Sequence, residues 1–137
     1  MSAVLTGRCL CGAVTYELTA PLTGASYCHC TRCQRRSGTA ASANGRIEPG
    51  SLRVTAGAEL ISTWSPDQGA PKSFCSRCGS ALWAGTREEP LGVRLGTLDG
   101  DPGIRPGHHV YADYAVDWEP IPEDGLPRYP EARPPSA

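Results

Sequence analysis

Seven cysteines, and the way they are spaced, constrain this chain more than any other feature. Three of them fall within six residues, in Tyr27-Cys28-His29-Cys30-Thr31-Arg32-Cys33. A reversible disulfide uses two thiols, whereas a soft metal ion uses three or four, and thiolate selects Zn²⁺ with iron–sulfur clusters and Cu(I) as rivals. In an extended segment Cys28 and Cys30 leave the same face, because side chains alternate with a period of two. Thr31 reads as the cap of a short helix, with Gln34 three residues on as the return arm of a capping box. Cys33 then lies in the first helical turn, where free N–H groups favour thiolate. Gly38 suits the end of that helix.

The other four cysteines come as two pairs. Cys9 and Cys11 precede Gly12 in a segment where Leu10, Val14, Tyr16 and Leu18 alternate, which predicts one strand over 7–18 with both thiols on its other face. A disulfide between Cys9 and Cys11 would close a very small, strained ring. Phe74-Cys75-Ser76-Arg77-Cys78-Gly79 has the form of a zinc-ribbon knuckle, with a glycine that tolerates the left-handed backbone of the turn. Its redox alternative, a thioredoxin-like dithiol, needs a βαβ setting, but Ala81-Leu82-Trp83 reads as the returning strand of a hairpin.

Seven thus divide as four plus three. Cys9, Cys11, Cys75 and Cys78 are expected to close a structural four-thiolate site. Cys28, Cys30 and Cys33 are expected to hold a second ion that keeps a position open for water or substrate, as catalytic sites do. A single polynuclear cluster of all seven is the alternative, although such clusters usually need more sulfur. His108, His109 or a carboxylate could close the three-thiol site. His29, between two ligands, points the other way and reads as a second-layer or surface residue. Three thiolates on Zn²⁺ leave a charge of −1, a poor setting for ionising water and a good one for a substrate sulfur.

At 137 residues the chain is read as one domain over 1–130 with an irregular, Pro-rich tail over 131–137. Sixteen glycines, 13 prolines and 7% aromatic residues describe a modest core with many turns, so metal staples would add needed folding free energy. Short strands are expected at Ala25–Cys30, around the Pro49-Gly50 turn as a pair marked by Ile47, Leu52 and Val54, and at 60–64, 91–98 and 109–111. The small-residue run Thr39–Gly45 reads as a closely packed strand or a loop beside a ligand. The fold class is therefore mainly β, with short antiparallel strands and hairpins and little helix.

A net charge of −1 gives no electrostatic footprint for nucleic acid or anionic membrane. No apolar run reaches the length of a membrane span. The first residues lack the basic and apolar regions of a signal peptide, so a cytoplasmic location is expected, where clustered thiols stay reduced. The single lysine among twelve arginines reads as a compositional bias and points to no function.

The order Cys9-x-Cys11-Gly12, then Cys28-His29-Cys30-x-x-Cys33, then Phe74-Cys75-x-x-Cys78-Gly79 resembles the glutathione-dependent formaldehyde-activating enzyme family, the centromere protein V/Gfa domain. Gly96-Thr97-Leu98-Asp99, His109-Val110-Tyr111, Trp118 and Asp124-Gly125-Leu126-Pro127 extend the likeness over roughly residues 5 to 130. The resemblance implies a β-rich, zinc-stapled fold with two Zn²⁺ ions: a structural one on Cys9, Cys11, Cys75 and Cys78, and a catalytic one on Cys28, Cys30 and Cys33. It implies a carbon–sulfur lyase of the S-hydroxymethylglutathione synthase type, with glutathione or another low-molecular thiol and formaldehyde or a related small aldehyde as partners. The alternatives are a non-catalytic zinc-stapled binding module and a thiol or metal sensor. Arg32, Arg35 and Arg36, and more weakly Asn44 and Arg46, are nominees for glutathione's carboxylates.

Overall fold

The computed structural model describes residues 3–135. Ten short strands and one helix follow in chain order: β1 (Leu5–Arg8), β2 (Thr15–Leu18), β3 (Gly24–Cys28), α1 (Thr31–Ser37), β4 (Ser42–Arg46), β5 (Leu52–Ala56), β6 (Ile61–Trp64), β7 (Lys72–Cys75), β8 (Ala81–Gly85), β9 (Pro90–Arg94) and β10 (His109–Val110). They form a three-stranded sheet, β1-β2-β5, and a seven-stranded sheet, β10-β3-β4-β9-β8-β7-β6. All pairings are antiparallel except that of β10 with β3. The mainly β architecture expected from the sequence is the one observed.

Segment 7–18 is a hairpin rather than one strand. Gly12 adopts φ +78° and donates to the Cys9 carbonyl at 3.1 Å, so the chain turns between β1 and β2. The two thiols therefore sit in a loop, where the turn can aim them at one point. The expected strand pair around Pro49-Gly50 is also corrected. That turn links two sheets: β4 lies in the large sheet, and β5 pairs with β2. The 91–98 strand is shorter than its alternation suggests, because Leu95–Thr97 turns into a 3₁₀ helix.

The core lies between the sheets. Tyr16 and Leu18 from the small sheet, with Val14 just before β2, meet Trp83, Leu82 and Val93 from the large one, all fully buried. Tyr16 packs edge-on against Trp83 with centroids 5.7 Å apart, and its hydroxyl bonds Thr97 Oγ1 at 2.6 Å. This satisfies the one polar atom that a buried tyrosine carries.

Strand register decides what the opposite face of the large sheet presents. Cys28 stands across from Ser42, Ser26 from Asn44 and Gly24 from Arg46. Asn44 stands across from Arg94, and Arg46 from Gly92. Gly92 stands across from Ala84, and Ala84 from Lys72. Because side chains alternate between faces, these residues share one surface. It is built from small, polar and cationic groups, whereas Val93 and Trp83 face the core. The Thr39–Gly45 run belongs to this surface through β4.

The segment after residue 114 has no helix or extended strand of its own, yet it is anchored. His109 N–H donates to the Pro127 carbonyl and Tyr129 N–H to the His109 carbonyl, both at 2.9 Å. Asp124 reaches His109 Nε2 at 2.8 Å.

Candidate metal centres and the cleft between the sheet strands

The structure brings the seven thiols together as the four and three expected. The Sγ atoms of Cys9, Cys11, Cys75 and Cys78 lie within 4.8 Å of one another, and so do those of Cys28, Cys30 and Cys33. Four sulfurs held at about 2.3 Å from one ion at tetrahedral angles lie about 3.8 Å apart. Cys9 and Cys11 sulfurs are 3.6 Å apart, and Cys11 and Cys75 sulfurs 4.0 Å. The first cluster therefore already has the size of a tetrahedral thiolate site. Val14 N–H donates to Cys9 Sγ at 3.3 Å, and Leu10 N–H to Ser80 Oγ, which lies 3.2 Å from Cys78 Sγ. Gly79, at φ +81°, donates to the Cys75 carbonyl at 2.7 Å and closes the second knuckle. Donors of this kind stabilise sulfur as thiolate. The Ser80 hydroxyl and neighbouring N–H groups draw the Cys78 thiol down to about 5, while a backbone bond to Ala13 is outweighed at Cys11 by desolvation and hydrogen bonds with the other thiols, which push it up to about 11.

In the second cluster Cys28 ends β3, Cys30 precedes α1 and Cys33 lies in its first turn. All three are buried, at 9%, 7% and 6% exposure. The helix cap is Cys30 rather than Thr31: its sulfur accepts from Cys33 N–H at 3.3 Å. The ligand thus doubles as the cap, and Gln34 is released to bond the carbonyls of His29 and Tyr114 at 2.8 and 2.9 Å. Gly38 closes the helix at φ +68°, as expected. The Cys33 thiol is pushed far down by hydrogen bonds from Cys28 and Cys30, with Ser42 and the Arg94 charge adding to the effect. Cys28 is pushed up by its thiol neighbours.

Among the described residues no fourth His, Cys, Asp or Glu donor joins the three sulfurs. His109 does not close the site, because both its ring nitrogens are engaged. Nδ1 meets His29 Nε2 at 2.9 Å and Nε2 meets Asp124 at 2.8 Å. His29 points away from the sulfurs, as the alternation of an extended chain requires. Burial lowers its pKa, aided by His109 and Arg128.

Cys28 and Cys33 line a cleft of about 730 Å³, roofed partly by residues near the C-terminus. Its lining includes Asn44, Arg46, Lys72, Arg94, His108 and Arg133, with no carboxylate among the described lining residues. Arg94 bonds Asn44 Oδ1, and reaches Ser42 Oγ at 3.3 Å. Of the arginines nominated from sequence, Arg46 lies in the cleft together with Asn44, whereas Arg32 and Arg35 are exposed on α1. Arg36 turns to the Ser73 carbonyl at 2.8 Å and stacks over Phe74. Sequence reasoning missed Lys72 and Arg94. The signal for Arg94 was its place in the alternation opposite Val93, whereas no local pattern singles out Lys72.

The profile of the family described as "Glutathione-dependent formaldehyde-activating enzyme" matches residues 4–114. A Halomonas elongata protein provisionally named a glutathione-dependent formaldehyde-activating enzyme is 31% identical over 127 residues, covering 86% of this chain and 81% of its own. A crystal structure of a Rhodobacter sphaeroides protein is similar with a TM-score of 0.51 and 33% identity, over 74% of this chain and 91% of that one. Among the described residues no helix is long and apolar enough to cross a membrane. The profile match, the curated relative and the paired thiol clusters agree, and the chain belongs to the glutathione-dependent formaldehyde-activating enzyme family.

Proposed function

We propose that the three-thiol cluster and its cleft form a carbon–sulfur lyase site. It joins and parts a low-molecular thiol, such as glutathione, and formaldehyde or a related small aldehyde. The observation that carries this reading is the asymmetry between the clusters: Cys28 and Cys33 open onto a cationic cleft, and the other four thiols do not. Zn²⁺ fits both donor sets, on Cys9, Cys11, Cys75 and Cys78 as a closed structural ion and on Cys28, Cys30 and Cys33 as the catalytic one. At the second site it would supply a soft position that favours a substrate's thiolate over its thiol.

The chain's own residues do the rest. Cys28, Cys30 and Cys33 present three negative sulfurs, which disfavour hydrolytic water as a fourth partner. Ser42 and Arg94 steady the Cys33 thiolate. Arg46 and Arg94 offer guanidinium groups to the carboxylates of an anionic thiol, a match of planar donors and acceptors. The reading as a non-catalytic module requires a protein side chain capping the three sulfurs, and the engagement of His109 elsewhere argues against it. Seven unpaired thiols suit a reducing compartment, which supports a cytoplasmic location.

The test is an NMR exchange experiment on glutathione, formaldehyde and S-hydroxymethylglutathione at equilibrium. The zinc-loaded chain is expected to accelerate exchange above the spontaneous rate, and Cys30→Ser to abolish the acceleration. Equal rates with and without the parent protein would contradict the lyase reading.

A further inference from the structure

We propose that Lys72 is the proton donor of this site, its ammonium meeting the aldehyde oxygen as sulfur adds to carbon. The inference rests on the lyase reading and names a residue that reading does not supply. Lys72 opens β7 and is 8% exposed, a burial that lysine reaches rarely without a partner. It lines the cleft that Cys28 and Cys33 line. Among the described residues no hydrogen bond or carboxylate meets its ammonium, and the charged groups that face it are Arg94, Cys33, Cys30 and Arg36. An ammonium that faces a cleft with no protein acceptor keeps its donors free for an incoming oxygen.

Lys72 differs from the arginines that share the cleft in the chemistry of its proton. Arginine keeps its proton at any working pH, whereas lysine shifts readily when buried and can give a proton up. Burial and the neighbouring Arg94 charge lower the Lys72 pKa, and Cys33 and Cys30 partly oppose them. A transferable proton thus stands in the cleft that Cys28 and Cys33 line.

The step balances without a co-reactant. The thiolate sulfur adds to the aldehyde carbon, forming the C–S bond. The C=O π pair moves onto oxygen, and Lys72 Nζ–H protonates that oxygen to give the hydroxymethyl thioether. Solvent returns the proton to Lys72. In reverse, neutral Lys72 takes the hydroxyl proton as the C–S bond breaks.

Lys72→Met and Lys72→Arg are compared with the parent in the full zinc-loaded chain by two readouts: the count of sulfur neighbours at zinc with glutathione present, and the exchange rate. The expected result is the parent's sulfur count in both variants, with acceleration about 100-fold lower in Lys72→Met. The parent rate should also fall as pH rises through the Lys72 titration, which the chain's sole lysine side-chain resonance reports directly. Lys72→Arg should lose that fall. Lys72→Met with the parent's rate overturns the proposal and leaves the lyase reading standing. A parent that gains glutathione sulfur but accelerates nothing overturns the proton donor, and one that gains no sulfur overturns both readings.

Discussion

His29 and His109 share a hydrogen bond, Nε2 to Nδ1 at 2.9 Å, that joins the middle of the three-thiol motif to β10. Asp124 extends the chain by accepting from His109 Nε2–H at 2.8 Å. With both rings neutral only one assignment works: His29 Nε2–H donates to His109 Nδ1, and His109 Nε2–H donates to Asp124. The segment after residue 114 thereby holds the backbone that carries Cys28 and Cys30. Tyr27 stacks on His109 at 5.1 Å and locks the same point.

His109→Ala should leave the His29 donor buried and unpaired. The expected cost is about 2 kcal/mol, seen in urea unfolding as a lower midpoint at unchanged slope. The second zinc should leave to a chelator sooner than in the parent, while the first is held as before.

Asp124 gives the fold an acid limit. The Leu126 N–H and the His109 ring hold its carboxyl below the usual range. A group depressed in the folded state binds its proton more readily when unfolded. Its stabilisation is therefore complete above the unfolded carboxylate value and lost as pH falls through the folded one. Asp124→Asn should flatten the stability profile of the parent below about pH 4, read by thermal melts across pH.

The two cysteine sets should respond differently. Cys75→Ser breaks the cluster that clips the β1–β2 loop to β7, across 64 residues from Cys11, and a structural zinc site contributes about 10 kcal/mol of apparent binding energy to folding. Circular dichroism should show an unfolded or aggregating protein. Cys30→Ser should keep the native spectrum and hold about one zinc instead of two. Equal unfolding by both would mean that the division of roles is wrong.

Gly57 supports the first cluster from behind. It has φ +76°, and a Cβ there would sit 2.2 Å from the Ala13 carbonyl oxygen, in the loop between Cys11 and β2. Neither strain nor clash has a flexible side chain to absorb it. Gly57→Ala should cost about 1–3 kcal/mol, with a lower melting temperature in the zinc-loaded protein.

Thiol spacing made the clusters legible, because ligand geometry is local: Cys75-x-x-Cys78-Gly79 and Cys28-x-Cys30 each fix their own turn or strand. What lay outside local pattern was missed. Gly12 turns 7–18 into a hairpin although Val14, Tyr16 and Leu18 keep the alternation of a single strand. Leu52 and Val54 look like a partner for the strand ending before Ile47, but burial against Tyr16 and Leu18 draws them into the other sheet. Cys30 displaced Thr31 as the helix cap, since a thiolate can accept the same N–H bond. Lys72 and Arg94 became visible as site residues only once register placed β4, β9, β8 and β7 side by side. Asp124, near the Pro-rich end of the 1–130 domain, gains its role from a contact that sequence distance conceals.

The most direct test of the account is the number of zinc ions bound and the sulfur coordination of each, by metal analysis and metal-edge spectroscopy, with and without glutathione. The account predicts two zinc ions per chain: one with four sulfurs throughout, and one that rises from three sulfurs to four when glutathione is added. A single zinc whose coordination ignores glutathione would contradict it.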